Sequence, residues 1–70
     1  MIQPEELKTL PVGTEFLMHS NMTDKDFWCK LDVHKGERIY RLLVNGGYFS
    51  EYIILERYNT PYGFYVICKD

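Results

Sequence analysis

Two cysteines, Cys29 and Cys68, and two histidines, His19 and His34, are the side chains suited to thiol or soft-metal chemistry. A structural zinc site takes four ligands, usually in close pairs such as C-x₂-C. None of these four residues has a partner at that spacing. Both cysteines lie within apolar runs, where a free thiol behaves as a small hydrophobe, so both are expected to point inward unbridged. A single bridge would fall short of the two to four disulfides typical of small secreted domains. That cysteine usage points to a reducing cytoplasm, and Asn21-Met22-Thr23, although a glycosylation-type triplet, means little there. A thiol nucleophile needs a helix start or a strained elbow, and neither cysteine has one. The only adjacent carboxylates, Glu5-Glu6, follow Pro4 at an expected helix start, and all five glycines fall in turns, so no glycine-rich phosphate cradle exists. The expectation is no catalytic, metal or cofactor-binding residue, no small-molecule substrate, and no enzyme.

The aromatic residues are the stronger signal. Four Phe, six Tyr and one Trp stand among seventy residues. Phe16, Phe27, Phe49 and Phe64 suffice for a small core, because rings suit strands and fill volume. A second set, Trp28, Ile39, Leu43, Tyr48, Tyr52 and Ile54, is expected on the opposite sheet face, with Arg38 and Arg41 at its rim. Such a face must be covered by something. The N-terminal helix, closure of a barrel, a second copy of the chain, or another protein could each do so. Tyr and Trp favour the last, since they bury much area and keep a polar tip. Single-stranded nucleic acid is the rival: Trp28, Tyr40 or Tyr52 beside Lys30, Arg38 and Arg41 could stack bases. A net charge of −2 opposes it, because phosphate neutralisation supplies most nucleic-acid affinity. Lys30, Lys35, Arg38 and Arg41 are moreover interrupted by Asp32 and Glu37, as on an ordinary solvated surface.

Several elements must hold these residues. Pro4-Glu5-Glu6 predicts a short helix, with Pro at its first position and acids at the positive end of the dipole. Leu7 and Leu10 then share a face, and Pro11 stops the helix. Strands are expected at Glu15 to Met18, Phe27 to Val33, Arg38 to Val44, within Tyr48 to Arg57, and at Phe64 to Lys69. Between the first two, His19 to Asp26 reads as the longest loop, with room for a helical turn near Thr23. Phe27, Cys29, Leu31 and Val33 alternate with Trp28, Lys30 and Asp32, the period of a half-buried strand. An even turn at His34 to Glu37 sets Leu31 opposite Tyr40, Cys29 opposite Leu42, Phe27 opposite Val44, Trp28 opposite Leu43 and Lys30 opposite Arg41. An odd turn would mix charge with core, so the even register should win. Asn45-Gly46 predicts a tight hairpin with two positive φ angles. Beyond it, an even register sends Phe49, Ile53 and Leu55 inward and Tyr48, Tyr52, Ile54 and Tyr58 outward. In the last strand Phe64, Val66 and Cys68 are expected on one side, Tyr65 and Ile67 on the other.

Five short strands joined mostly by hairpins, with one short N-terminal helix, make an all-β chain of one domain over residues 1–70. Size and turn spacing resemble an SH3-like or OB-like small antiparallel barrel or bent sheet. The acidic-aromatic ligand loop of peptide-binding SH3 domains is missing, so the resemblance is one of architecture. No apolar run approaches the roughly 20 residues of a membrane helix, and no signal-peptide pattern follows Met1. The function expected is a cytoplasmic, non-enzymatic protein-binding module. It would dock through its aromatic face or an edge strand, in the manner of small inhibitor or accessory proteins of phages, mobile elements and bacteria. A single-strand nucleic-acid binder and a structural homodimer are the alternatives.

Overall fold

The computed structural model describes residues 1–69. In chain order the elements are α1 (Pro4–Leu7), β1 (Glu15–Ser20), β2 (Lys25–His34), β3 (Glu37–Leu42), β4 (Tyr48–Ser50), α2 (Glu51–Glu56) and β5 (Phe64–Lys69). All five strands join one antiparallel sheet in the order β4-β3-β2-β1-β5. The all-β expectation therefore holds. The edge strands β4 and β5 are not bonded to each other, so the sheet stays open, and a second helix accompanies the expected one.

Three hairpins set the register. Lys35 and Gly36 both take positive φ, 52° and 78°, which lets a two-residue turn follow the strands' own twist. The even pairing results: Leu31 opposite Tyr40, Cys29 opposite Leu42 and Lys30 opposite Arg41. Between β1 and β2 only Asn21 to Asp24 are left for the turn, because His19 pairs with Asp26 and Ser20 with Lys25. The expected long loop and helical turn are thus replaced by extended ladder. Asp24 closes the turn at φ 56°, its N–H donating to the Ser20 carbonyl. At the third hairpin Gly46 alone takes positive φ. Asn45 contributes its side-chain oxygen instead, accepting from Gly47 N at 2.8 Å. The turn is therefore longer than a two-residue Asn-Gly one. β3 ends at Leu42, and Val44 stands exposed rather than opposite Phe27.

The fourth strand is shorter than expected. Ser50 accepts from Ile53 N at 3.2 Å and caps a helix whose first turn carries Glu51. A hydroxyl cap and an acid at the positive end outweigh the β preference of Tyr52-Ile53-Ile54. The helical period then buries Ile54, expected outward, and brings Tyr58 against the core.

One core fills the inner sheet face. It gathers Phe16, Met18, Cys29, Leu31, Tyr40 and Val66 from the strands, with Leu7, Leu10 and Ile54 from the helical segments. Phe16 meets Tyr40 edge-on at 5.2 Å, a favoured ring geometry. Both helices lie on this side, since Leu7 and Ile54 belong to the same cluster. Arg38 locks them together. Its Nε donates to Glu51 of α2, and its terminal nitrogens donate to the carbonyls of Leu10 and Leu7. The end of a helix leaves such carbonyls without partners of their own.

β5 carries an irregularity opposite β1. Leu17 pairs with Cys68 and Met18 with Val66, so Ile67 is an extra residue. An extra residue reverses the faces beyond it. Cys68, expected inward, is consequently exposed, while Cys29 is buried, and both thiols are free. Burial pushes the Cys29 thiol up to about 12.

Candidate functional site

The outer sheet face is read off in rows across the strands. One row runs Cys68, Leu17, Trp28 and Leu43, through the pairs Leu17–Cys68 and Leu17–Trp28 and the bond from Leu43 N to the Trp28 carbonyl. Beside it runs a polar row of Glu15, Lys30, Arg41 and Tyr48. On its other side Tyr65, His19 and Asp26 line up. Trp28 remains 43% exposed and Leu43 47%. Both helices pack on the opposite face, so the row is left to solvent.

The expected docking residues divide into two groups. Trp28, Leu43, Tyr48 and Tyr52 are exposed. Ile39 is not; it is 2% exposed although it shares the outer face. The register explains this. His34 and Tyr48 sit two positions to either side of Ile39's level, on the two neighbouring strands, and their rings meet at 4.9 Å. The ring pair crosses β3 diagonally and roofs Ile39 within the monomer. Tyr52 belongs to α2 and not to a sheet row, and Ile54 is core.

Neither arginine is a loose rim charge. Arg38 is the clamp described above, half-buried beside Glu51. Arg41 donates to Asp32 Oδ2 at 2.9 Å and to the Gly46 carbonyl at 2.7 Å, and its guanidinium carbon lies 5.6 Å from the Tyr48 ring centroid. The Arg41 hydrogen bond, helped by the Val33 N–H, holds the Asp32 carboxyl below its usual range. The base-stacking platform is not assembled either. Tyr40 is fully buried, with its hydroxyl against Glu51 at 3.3 Å. Burial and that carboxylate drive its phenol well above the ordinary value.

The edge strand offers less than its length suggests. Tyr58 OH accepts from Val66 N at 2.9 Å and donates to the Ile2 carbonyl, Ile2 N donates to the Val66 carbonyl, and Asn59 N donates to the Phe64 carbonyl. The outward groups of β5 at Phe64 and Val66 are therefore already paired, a common protection of sheet edges. β4, at three residues, offers little ladder.

For metal or acid–base chemistry the groups lie apart. Cys29 is in the core, Cys68 on β5, His34 against Tyr48, and His19 between Asp26 at 2.6 Å and Asp24 at 3.2 Å. No cluster of three His, Cys, Asp or Glu side chains able to hold a metal occurs among the described residues. No helix among them is long and apolar enough to cross a membrane.

A second apolar feature escaped the sequence reading. A cleft of about 430 Å³ opens at the end of the core away from α1, between the β1–β2 turn, the β3–β4 turn and residues 57–63. Phe27, Phe49 and Phe64 line it, and Met22, Val44 and Tyr62 stand exposed around it. Three large apolar side chains within turn segments were the available signal. The chain matches no protein-family model, no curated protein and no solved structure.

Proposed function

We propose that this chain is a non-enzymatic protein-binding module that docks a partner protein on its outer sheet face around Trp28. One observation carries the reading. The only tryptophan stays 43% exposed in the middle of the sheet, flanked across strands by Leu17 and Leu43, with no helix laid over it. An unpaired large ring in an apolar row is the kind of residue that dominates binding energy once it enters a partner's pocket. Leu17, Leu43 and Tyr48 extend the surface; Lys30 and Arg41 border it on the polar row. A module of this kind acts by occupying its partner's surface, as a small inhibitor or accessory protein of a phage, mobile element or bacterium would. The two unbridged cysteines favour a reducing compartment such as the cytoplasm.

The test uses two baits, the natural chain and Trp28→Ala, against extract of the native host, followed by affinity measurement on the purified captured protein. The reading expects Trp28→Ala to weaken binding at least about fivefold, the equivalent of 1 kcal/mol, with the circular dichroism spectrum unchanged. Equal affinity for both baits would overturn it. So would binding that collapses between low and moderate salt, the mark of phosphate contacts. Sedimentation of the isolated chain separates the remaining case: a dimer that Trp28→Ala dissolves assigns the face to a second copy.

A further inference from the structure

The core has two ends, and only one is lidded. Leu7 and Leu10 close the first. The second is the cleft described above, where Phe64 stands 6.2 Å from Phe27 at 88° and 5.1 Å from Phe49 at 48°. The turns that surround its aromatic floor are tied together. Asn21 Nδ2 donates to the Thr60 carbonyl at 2.9 Å, and Asn21 N donates to the Gly63 carbonyl. Among the described residues, Arg57 is the one charged residue lining the cleft. Its carbonyl is held by Thr60 through both N–H and hydroxyl, so the root of the side chain is fixed. Its guanidinium has no hydrogen-bond or ion-pair partner among the described residues, unlike Arg38 and Arg41. The nearby Ser20 hydroxyl already accepts from Thr23 N.

An apolar hollow whose lining includes one unengaged cation specifies a ligand with two parts. We propose that the cleft receives a large apolar side chain, aromatic for preference, from a partner-protein segment in which the next residue is acidic, the carboxylate meeting Arg57. The ring would leave water for three phenylalanine faces, the main favourable term in such contacts. The carboxylate would find planar paired donors, and no existing ion pair has to break first. The site is distinct from the Trp28 row and does not depend on it. Its volume falls within the usual range for side-chain and small-ligand pockets, roughly 300–1,000 Å³.

The test is a nitrogen-15 NMR titration of the full chain with three blocked dipeptides: N-acetyl-Trp-Asp-amide, N-acetyl-Trp-Asn-amide and N-acetyl-Ala-Asp-amide. The first should move the amide signals of Met22, Val44 and Phe64 and leave the Trp28 indole signal in place. The second, of equal shape but uncharged, should bind at least threefold more weakly, and the third should not bind. Arg57→Gln should erase the preference for Asp over Asn while keeping Trp binding. Val44→Glu, at a position 83% exposed, should abolish binding of the acidic peptide without unfolding the chain. Equal affinity for the Asp and Asn peptides, no shifts, or shifts centred on Trp28 would each overturn the proposal. Cleft signals that move with protein concentration alone would overturn it too, by making a second copy the occupant.

Discussion

Arg38 grips Glu51 side-on, its Nε 3.0 Å from both carboxylate oxygens, while its two remaining nitrogens reach back to the carbonyls of Leu10 and Leu7. One side chain thereby joins the N-terminal segment, the sheet and α2, three pieces that a chain of seventy residues has few other means to connect. The planar fork makes this arrangement specific to arginine.

Arg38→Lys should therefore destabilise the chain, since one ammonium cannot span all three acceptors. The expected loss is about 1.5–3 kcal/mol for hydrogen bonds to charged groups. The low half of that range applies, because the paired side chains remain 27% and 16% exposed and water screens them. Urea unfolding followed by circular dichroism measures it, and an unchanged midpoint would show that the clamp carries no stability.

Gly63 is closed to any larger residue. A Cβ built there would lie 1.7 Å from the Arg57 carbonyl oxygen, which is backbone and cannot swing aside. Gly63→Ala should cost about 3 kcal/mol or more, the upper end of overpacking penalties, and should shift NMR signals throughout residues 57–63. Near-natural stability would mean that the loop's approach to Gly63 is dispensable.

Alkaline pH should destabilise the chain through its buried thiol and phenols. Burial raises the Cys29 thiol from 9.0 to about 12 and raises the phenols of Tyr40 and Tyr58 above 10.0. A raised acid binds its proton more tightly when folded. Its contribution is complete below the unfolded value and is lost as pH climbs through the folded one. Stability should hold up to about pH 9 and decline above it. The Tyr40 and Tyr58 share of phenolate absorbance should appear together with loss of structure; if all phenolate absorbance rises while the fold persists, the burial argument fails.

The two thiols should separate by rate. In the native chain a disulfide reagent should modify Cys68 quickly and reach Cys29 only after denaturant is added, since one is exposed and the other buried. Cys68→Ser should delete the fast phase. Two fast equivalents in the native state would contradict the burial of Cys29, and no fast equivalent would contradict the register shift that turns Cys68 outward.

Local pattern made much of this fold legible. The alternation from Phe27 to Leu31 and the Lys35-Gly36 turn suffice for the β2–β3 register, because a one-residue slip would expose the core. The failures have different causes. At Ser50 a helix cap competes with an apolar run that suits a strand equally well, and the fate of Ile54 depends on which wins. The face of Cys68 turns on one extra residue in β5, a choice made by packing against β1. At the candidate site Trp28, Leu43, Tyr48 and Tyr52 were legible as exposed. Arg38 and Ile39 were not, since what occupies each comes from distant strands and helices rather than sequence neighbours. The cleft was hidden for the same reason: Met22, Val44 and Tyr62 lie in three separate turns.

Ile39 and Trp28 share the outer face, yet they should behave oppositely when truncated. Ile39 is roofed by the His34–Tyr48 ring pair and is 2% exposed, so Ile39→Ala removes packed methyl groups. Its expected cost is about 2–4 kcal/mol. Trp28→Ala loses its cross-strand pairing with Leu17 and Leu43, about 0.2–1 kcal/mol for each pair. Tyr48→Ala should fall between them, because it uncovers Ile39 without removing it. Side-by-side denaturation of the three variants reads the order directly. If Trp28→Ala proved the most damaging, the ring would be a structural support, and its exposure would no longer argue for a docking surface.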